Sequence, residues 1–167
     1  MESVRGKVKV KKMIVWILLV LLVIFVILNA VMYVLQDRLI FYYVDDPESR
    51  MYLEGKPGYE KVEFTAENGK TYHGMMYHAS SERAPLLIYF GGNGECSYRK
   101  FRNLEAQNQW KYYAECNFLY VDYDGYGLNG GQLSCLKMYE HSLAVYDYAL
   151  TLSNVDKGRI AVMGYSL

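Results

Sequence analysis

The segment Met13–Leu35 runs for 23 residues without a charged side chain, and this run limits what the chain can fold into more than any other feature. As a helix rising about 1.5 Å per residue it would be about 35 Å long, enough to cross a hydrocarbon core of roughly 30 Å. The competing reading is a cleaved signal sequence. Its apolar stretch is usually about 7–15 residues and ends in a small-x-small cleavage site, which Asn29-Ala30-Val31-Met32 does not offer. A retained anchor is predicted, with residues 13–35 in contact with the lipid bilayer. Arg5, Lys7, Lys9, Lys11 and Lys12 precede the span, whereas Arg38 and Arg50 are the basic residues that soon follow it. The positive-inside bias therefore predicts a single-pass protein with a cytoplasmic N-terminus and everything after Leu35 extracytoplasmic.

The chain divides on this reading into a basic tail (1–12), the span (13–35), a stalk (36–59) containing Pro47, Gly55, Pro57 and Gly58, and an α/β domain (60–167). Eighteen basic side chains balance eighteen acidic ones, which excludes the basic surplus expected of a nucleic-acid binder. Cys96, Cys116 and Cys135 form an odd set without CxxC spacing. A single bridge stays open, but buried free thiols are the simpler reading. The 18 tyrosines imply large side chains with polar tips at buried edges.

Asn68-Gly69, flanked by Lys61–Thr65 and Thr71–His78, predicts an antiparallel hairpin. Three continuous apolar runs follow: 86–90 (LLIYF), 118–121 (FLYV) and 160–163 (IAVM). Such runs suit parallel strands covered on both faces. Ser97–Glu115 and Leu136–Leu152 read as the helices between them. In the second helix Leu136, Tyr139, Leu143, Tyr146 and Leu150 recur at helical spacing and predict a core-facing stripe. A hairpin followed by strand–helix–strand–helix–strand indicates an α/β fold with right-handed crossovers. Its ligands would sit at the carboxyl ends of the strands.

Each apolar run ends in a loop with chemical potential. Gly91-Gly92-Asn93-Gly94-Glu95 can turn sharply and present backbone N–H groups to an oxyanion; it lacks the Lys-Ser/Thr pair of a phosphate-binding loop. In the second loop, Gly125-x-Gly127-x-x-Gly130 matches a dinucleotide fingerprint literally, but neither a helix within the glycines nor an acid after the next strand supports it. Asp122, Asp124 and Gly127 fall at calcium-loop positions whose partners Tyr126 and Leu133 carry no carboxylate. No cofactor and no metal are expected. The third loop, Gly164-Tyr165-Ser166-Leu167, has the first four positions of G-x-S-x-G, the turn that exposes a nucleophilic serine between a strand and a helix.

In this order and spacing the three loops resemble the α/β-hydrolase superfamily, and most closely its membrane-anchored Bem46-like, serine-aminopeptidase-like hydrolases. Leu86–Gly94 is similar to that group's strand running into a His-Gly-Asn segment. Val121–Gly127 looks like its Asp-Tyr-Arg-Gly-Tyr-Gly loop, Ile160–Leu167 like its strand and elbow, and 36–42 (QDRLIFY) also has its look. The resemblance implies the N-terminal half of an α/β-hydrolase sheet preceded by one transmembrane helix. It makes Ser166 the nucleophile, the backbone N–H groups of Asn93 and Leu167 the oxyanion hole, and Gly91, Gly92 and Gly94 the oxyanion loop. The implied activity is ester, thioester or amide hydrolysis of a small-molecule or peptide substrate through an acyl-serine. Two positions depart from the pattern: Gly91 stands where the family has histidine, removing a brace of the oxyanion loop, and Asp124 stands where it has arginine, reversing a charge.

In the family the acid and the histidine follow the nucleophile. His73, His78 and His141 all precede Ser166 and read as strand or helix surface residues. The expectation is therefore a fragment cut inside the motif, inactive as it stands because a serine without its base is a poor nucleophile. Its last strand should be an open apolar edge. The alternative is a non-catalytic membrane-anchored protein that uses the same scaffold for binding.

Overall fold

The structure is a computed structural model that describes residues 2–41 and 43–166. It separates into two units, residues 1–40 and 41–167. The first is one helix, α1 (Glu2–Ile40). Residues 11–40 of it are long and apolar enough to cross a membrane. No proline interrupts this stretch, so the helix runs on both sides of the 13–35 span, through the basic tail and past Leu35. The polar residue within this stretch, Asn29, donates its Nδ2 to the Phe25 carbonyl at 2.8 Å, which pairs the amide within the helix itself.

The second unit contains α2 (Pro47–Leu53), β1 (Tyr59–Thr65), β2 (Thr71–Tyr77), β3 (Ala84–Phe90), α3 (Ser97–Ala106), β4 (Asn117–Val121), α4 (Cys135–Thr151) and β5 (Val155–Gly164). The sheet order is β1-β2-β4-β3-β5. β1 and β2 form the expected hairpin, with Thr65 opposite Thr71 and Gly69 at φ 80° in the turn. β2 pairs antiparallel with β4, and β3 lies parallel to both β4 and β5. Gly74 lets β2 come this close to β4: a Cβ there would collide with the Tyr120 carbonyl and the Val121 Cα.

Alternate side chains of the central strands enter two cores. Tyr72, Met76, Leu86, Ile88, Leu119 and Val121 pack with Val145 and Ala149 of α4. Met75, Tyr89, Phe118 and Tyr120 pack with Tyr98, Phe101 and Leu104 of α3. The two helices therefore cover opposite faces. The chain crosses from β3 to β4 on one side and returns past β3 to β5 on the other, so the direction of winding reverses at β3. That switch point brings the loops after β3 and β5 side by side.

Four local expectations change. The segment expected as a stalk is part of the body from Phe41 onward. Phe41 is buried against Tyr123, Tyr126 and Leu133, Val44 bridges to Tyr126, and Leu53 of α2 enters the α3-side core. Asp46 caps α2 by accepting from the Ser49 N–H at 3.0 Å, with Pro47 opening the helix.

The helix expected over 97–115 stops at Ala106. The backbone turns at Asn108 (φ 52°), and Trp110 folds back to stack on Tyr77 with ring centroids 4.2 Å apart. On α4 the predicted core stripe faces outward: Leu136, Tyr139, Leu143 and Tyr146 are exposed, while His141, Val145 and Ala149 are buried. β5 is the open apolar edge expected of the last strand, with Val162 and Met163 exposed. The thiols are free, but only Cys96 is fully buried; Cys135 is exposed.

Candidate active site

β5 ends at Gly164. The Tyr165 N–H extends the β3–β5 pairing by donating to the Phe90 carbonyl at 3.0 Å. Ser166 then takes φ 70°, a left-handed conformation uncommon outside glycine and a marker of stored backbone strain. The loop after β3 meets Tyr165 and Ser166 directly. A Cβ on Gly92 would lie 2.9 Å from the Tyr165 ring and 3.2 Å from the Ser166 Cβ, so only glycine lets the two segments touch. Ser166 is thus brought against Gly92 of the Gly91–Gly94 loop. Leu167, the other expected oxyanion donor, lies outside the described residues.

The loop itself is a four-residue turn from Gly92 to Glu95, closed by the Glu95 N–H donating to the Gly92 carbonyl at 3.2 Å. Gly94 has φ 75° at the position where such a turn requires glycine. Asn93 is tied to the second loop through its Oδ1, which accepts from the Tyr126 hydroxyl at 2.7 Å.

Gly91 carries no brace, and the structure shows what fills the space. A Cβ at Gly91 would collide with the hydroxyl of buried Tyr120, which donates to the Glu95 carbonyl at 2.9 Å. A tyrosine from β4 thus pins the loop from beneath. Placing a histidine here by Gly91→His is expected to destabilise the fold by about 3 kcal/mol, because Tyr120 must leave a filled core. The readout is the melting temperature, and an unchanged value would refute the assignment.

The reversed charge at Asp124 is also matched. The side chain is 2% exposed, is ion-paired with Lys70, and has Lys137 Nζ at 3.6 Å. The two lysines supply the positive charge that an arginine at 124 would have carried.

Asp122 is fully buried and receives the Ser97 N–H at 2.6 Å and the Ser97 hydroxyl at 2.8 Å. It anchors the first turn of α3. Burial, only partly offset by these hydrogen bonds, pushes its carboxyl up to about 7. Asn129 cross-links the same loop to β2, accepting the His73 N–H at 2.8 Å and donating to the Asp122 carbonyl. Asp122 and Asp124 have separate partners.

The histidines sit elsewhere in the body. His73 faces Glu63, and His78 bonds Glu60 and Asn154. His141, expected at the surface, is instead fully buried among Tyr72, Phe90 and Tyr123. Burial holds its imidazole down at about 3. The Asp122 and Val121 carbonyls favour its charged form, yet neither ring nitrogen closes a hydrogen bond.

No protein-family model matches the chain. Among solved structures it is similar to an α/β-hydrolase from Vibrio vulnificus, at 17% identity and TM-score 0.57 over 75% of this chain and 42% of that one. It is similar to the Pyrococcus furiosus esterase Pf2001, at 17% identity and TM-score 0.55 over 75% and 46%. A third likeness is to the α/β-hydrolase GrgF from Penicillium sp., at 25% identity and TM-score 0.51 over 64% and 37%. The chain spans less than half the length of each of these three structures. What they share with it is the sheet, and the body of this chain has the α/β-hydrolase fold.

Proposed function

We propose that the chain is the nucleophile-bearing part of a membrane-anchored, Bem46-like serine hydrolase acting on ester, thioester or amide bonds. The observation that carries this reading is the left-handed Ser166 seated against Gly92 at the switch point of the sheet. In the reaction the Ser166 Oγ attacks the substrate carbonyl carbon, and its proton passes to a histidine of the full-length protein other than His73, His78 or His141. The negative charge gathering on the carbonyl oxygen is met by the backbone N–H groups of Asn93 and Leu167. The histidine returns the proton to the leaving group, and water then releases the acyl group from Ser166. Residues 1–167 alone are expected to be inactive.

The test is covalent labelling of the full-length protein by a fluorophosphonate, with the modified peptide mapped by mass spectrometry. The expected adduct is on Ser166. A well-folded full-length protein that takes up no label, or takes it elsewhere, overturns the reading and favours a non-catalytic binding role for the scaffold.

The α1 helix is proposed as a retained anchor that places the body outside the cytoplasm, supported by its apolar 11–40 stretch and the basic residues before it. The protein should stay in the membrane pellet through alkaline carbonate extraction. On intact cells, external protease should remove the body and leave the N-terminus; release into the carbonate supernatant would contradict an anchor.

A further inference from the structure

We propose that Glu95 is the positioning residue that aims the oxyanion loop at Ser166, held in turn by Tyr89 and Lys100; this rests on the reading of Ser166 as nucleophile. Glu95 grips Gly92 from both sides. Its N–H donates to the Gly92 carbonyl at 3.2 Å, and its Oε2 accepts the Gly92 N–H at 3.3 Å. The backbone bond orients the Gly92–Asn93 peptide, and the carboxylate bond, the one the side chain supplies, holds Gly92 in place so that this orientation persists. The Gly92 carbonyl and the Asn93 N–H belong to one planar trans peptide and point in opposite directions. Fixing the carbonyl toward Glu95 therefore turns the Asn93 N–H the other way. Gly92 is also the residue that abuts the Ser166 Cβ, so its placement sets the distance between donor and nucleophile.

The carboxylate is itself locked. Tyr89 donates its hydroxyl to Glu95 Oε2 at 2.8 Å. Lys100 Nζ lies 3.2 Å from Glu95 Oε1 and donates to the Tyr89 hydroxyl at 2.8 Å. The same ammonium sits 5.7 Å from the centre of the Tyr165 ring, the residue before Ser166. These groups form a closed triangle of charge-assisted bonds, and it stands beside Gly91, where the family's histidine is absent.

The experiment compares Glu95→Ala, Glu95→Gln and Lys100→Met in the full-length protein, using p-nitrophenyl butyrate as the probe substrate and amide hydrogen exchange over residues 91–95. Removing a single oxyanion donor costs about 10²–10³ in kcat, and misaiming one should cost less. Glu95→Ala is expected to lower kcat about 10- to 100-fold with KM little changed, and to speed exchange at 91–95. Glu95→Gln keeps an acceptor for the Gly92 N–H and should recover most of the rate and the protection. Lys100→Met should fall between the two, and it keeps the question open to test if Glu95→Ala fails to fold.

Wild-type kcat and exchange in Glu95→Ala would overturn the proposal, as would a loss expressed in KM alone or a failure of Glu95→Gln to rescue. Ser166→Ala is run alongside. Hydrolysis that survives it overturns the nucleophile reading, whereas a silent Ser166→Ala beside a fully active Glu95→Ala overturns only the role of Glu95.

Discussion

Ser166→Ala in the full-length protein is expected to lower ester hydrolysis by about a millionfold, leaving only the rate that binding and oxyanion donors sustain without a nucleophile. The fold should not change. Alanine has the same backbone preferences as serine at φ 70°, and the lost hydroxyl belongs to an exposed side chain. Ser166→Gly separates the two contributions, since it too abolishes the rate but removes the left-handed penalty, gaining about 1 kcal/mol. Equal loss of activity with a raised melting temperature would mark the strain as serving the reaction. A Ser166→Ala protein that retains more than a few per cent of the rate would mean that the acyl group is carried elsewhere.

The second large effect is on stability against pH, where two buried groups oppose each other. Asp122 has its carboxyl raised to about 7, so over pH 4–7 the native state holds a proton that the unfolded chain has lost. Its contribution is complete below about pH 4 and is lost as pH rises through 7. His141 is lowered to about 3, so its contribution is complete above about pH 6.5 and is lost as pH falls toward 3. Between pH 4 and 6.5 the slopes are equal and opposite, and the wild-type profile should be nearly flat in these two groups.

Asp122→Asn keeps the Ser97 contacts and exposes the His141 slope, so stability should rise by about 3–4 kcal/mol from pH 4 to 6.5. His141→Leu exposes the Asp122 slope, so stability should fall by about 4 kcal/mol from pH 4 to 7. For a chain of this size that is a tilt of about 10 °C in melting temperature, in opposite directions for the two variants. Thermal denaturation of the detergent-solubilised protein at several pH values measures it. Parallel profiles for both variants would show that neither group is titrating as its burial implies.

The fold was legible where local signals and global pattern agree. Asn68-Gly69 sits in the hairpin turn, the three apolar runs are β3, β4 and β5 in the expected parallel arrangement, and the loops after β3 and β5 meet. The face of α4 was not legible. Two rows of residues at helical spacing compete on it, and the bulkier one, Leu136 to Tyr146, looks like core. The row that packs on the sheet is the smaller one, Val145 and Ala149 with His141, because close helix–sheet packing selects volume and shape rather than hydrophobicity alone.

The support of the candidate site was hidden for another reason. Whether Tyr120 fills the space over Gly91, or Lys70 and Lys137 neutralise Asp124, depends on which residues the sheet places side by side. Nothing in the spacing along the chain announces it. Glu95 was within the quoted loop, but its hold on Gly92 follows from the turn at Gly94.

The stack of Trp110 on Tyr77 has a practical consequence. The sequence has two tryptophans, Trp16 in the apolar helix and Trp110 in the body, so each unit carries its own intrinsic fluorophore. With Trp16 replaced by phenylalanine, emission from the remaining indole becomes a label-free gauge of whether the body is folded, because melting frees that ring into water and shifts its spectrum to the red.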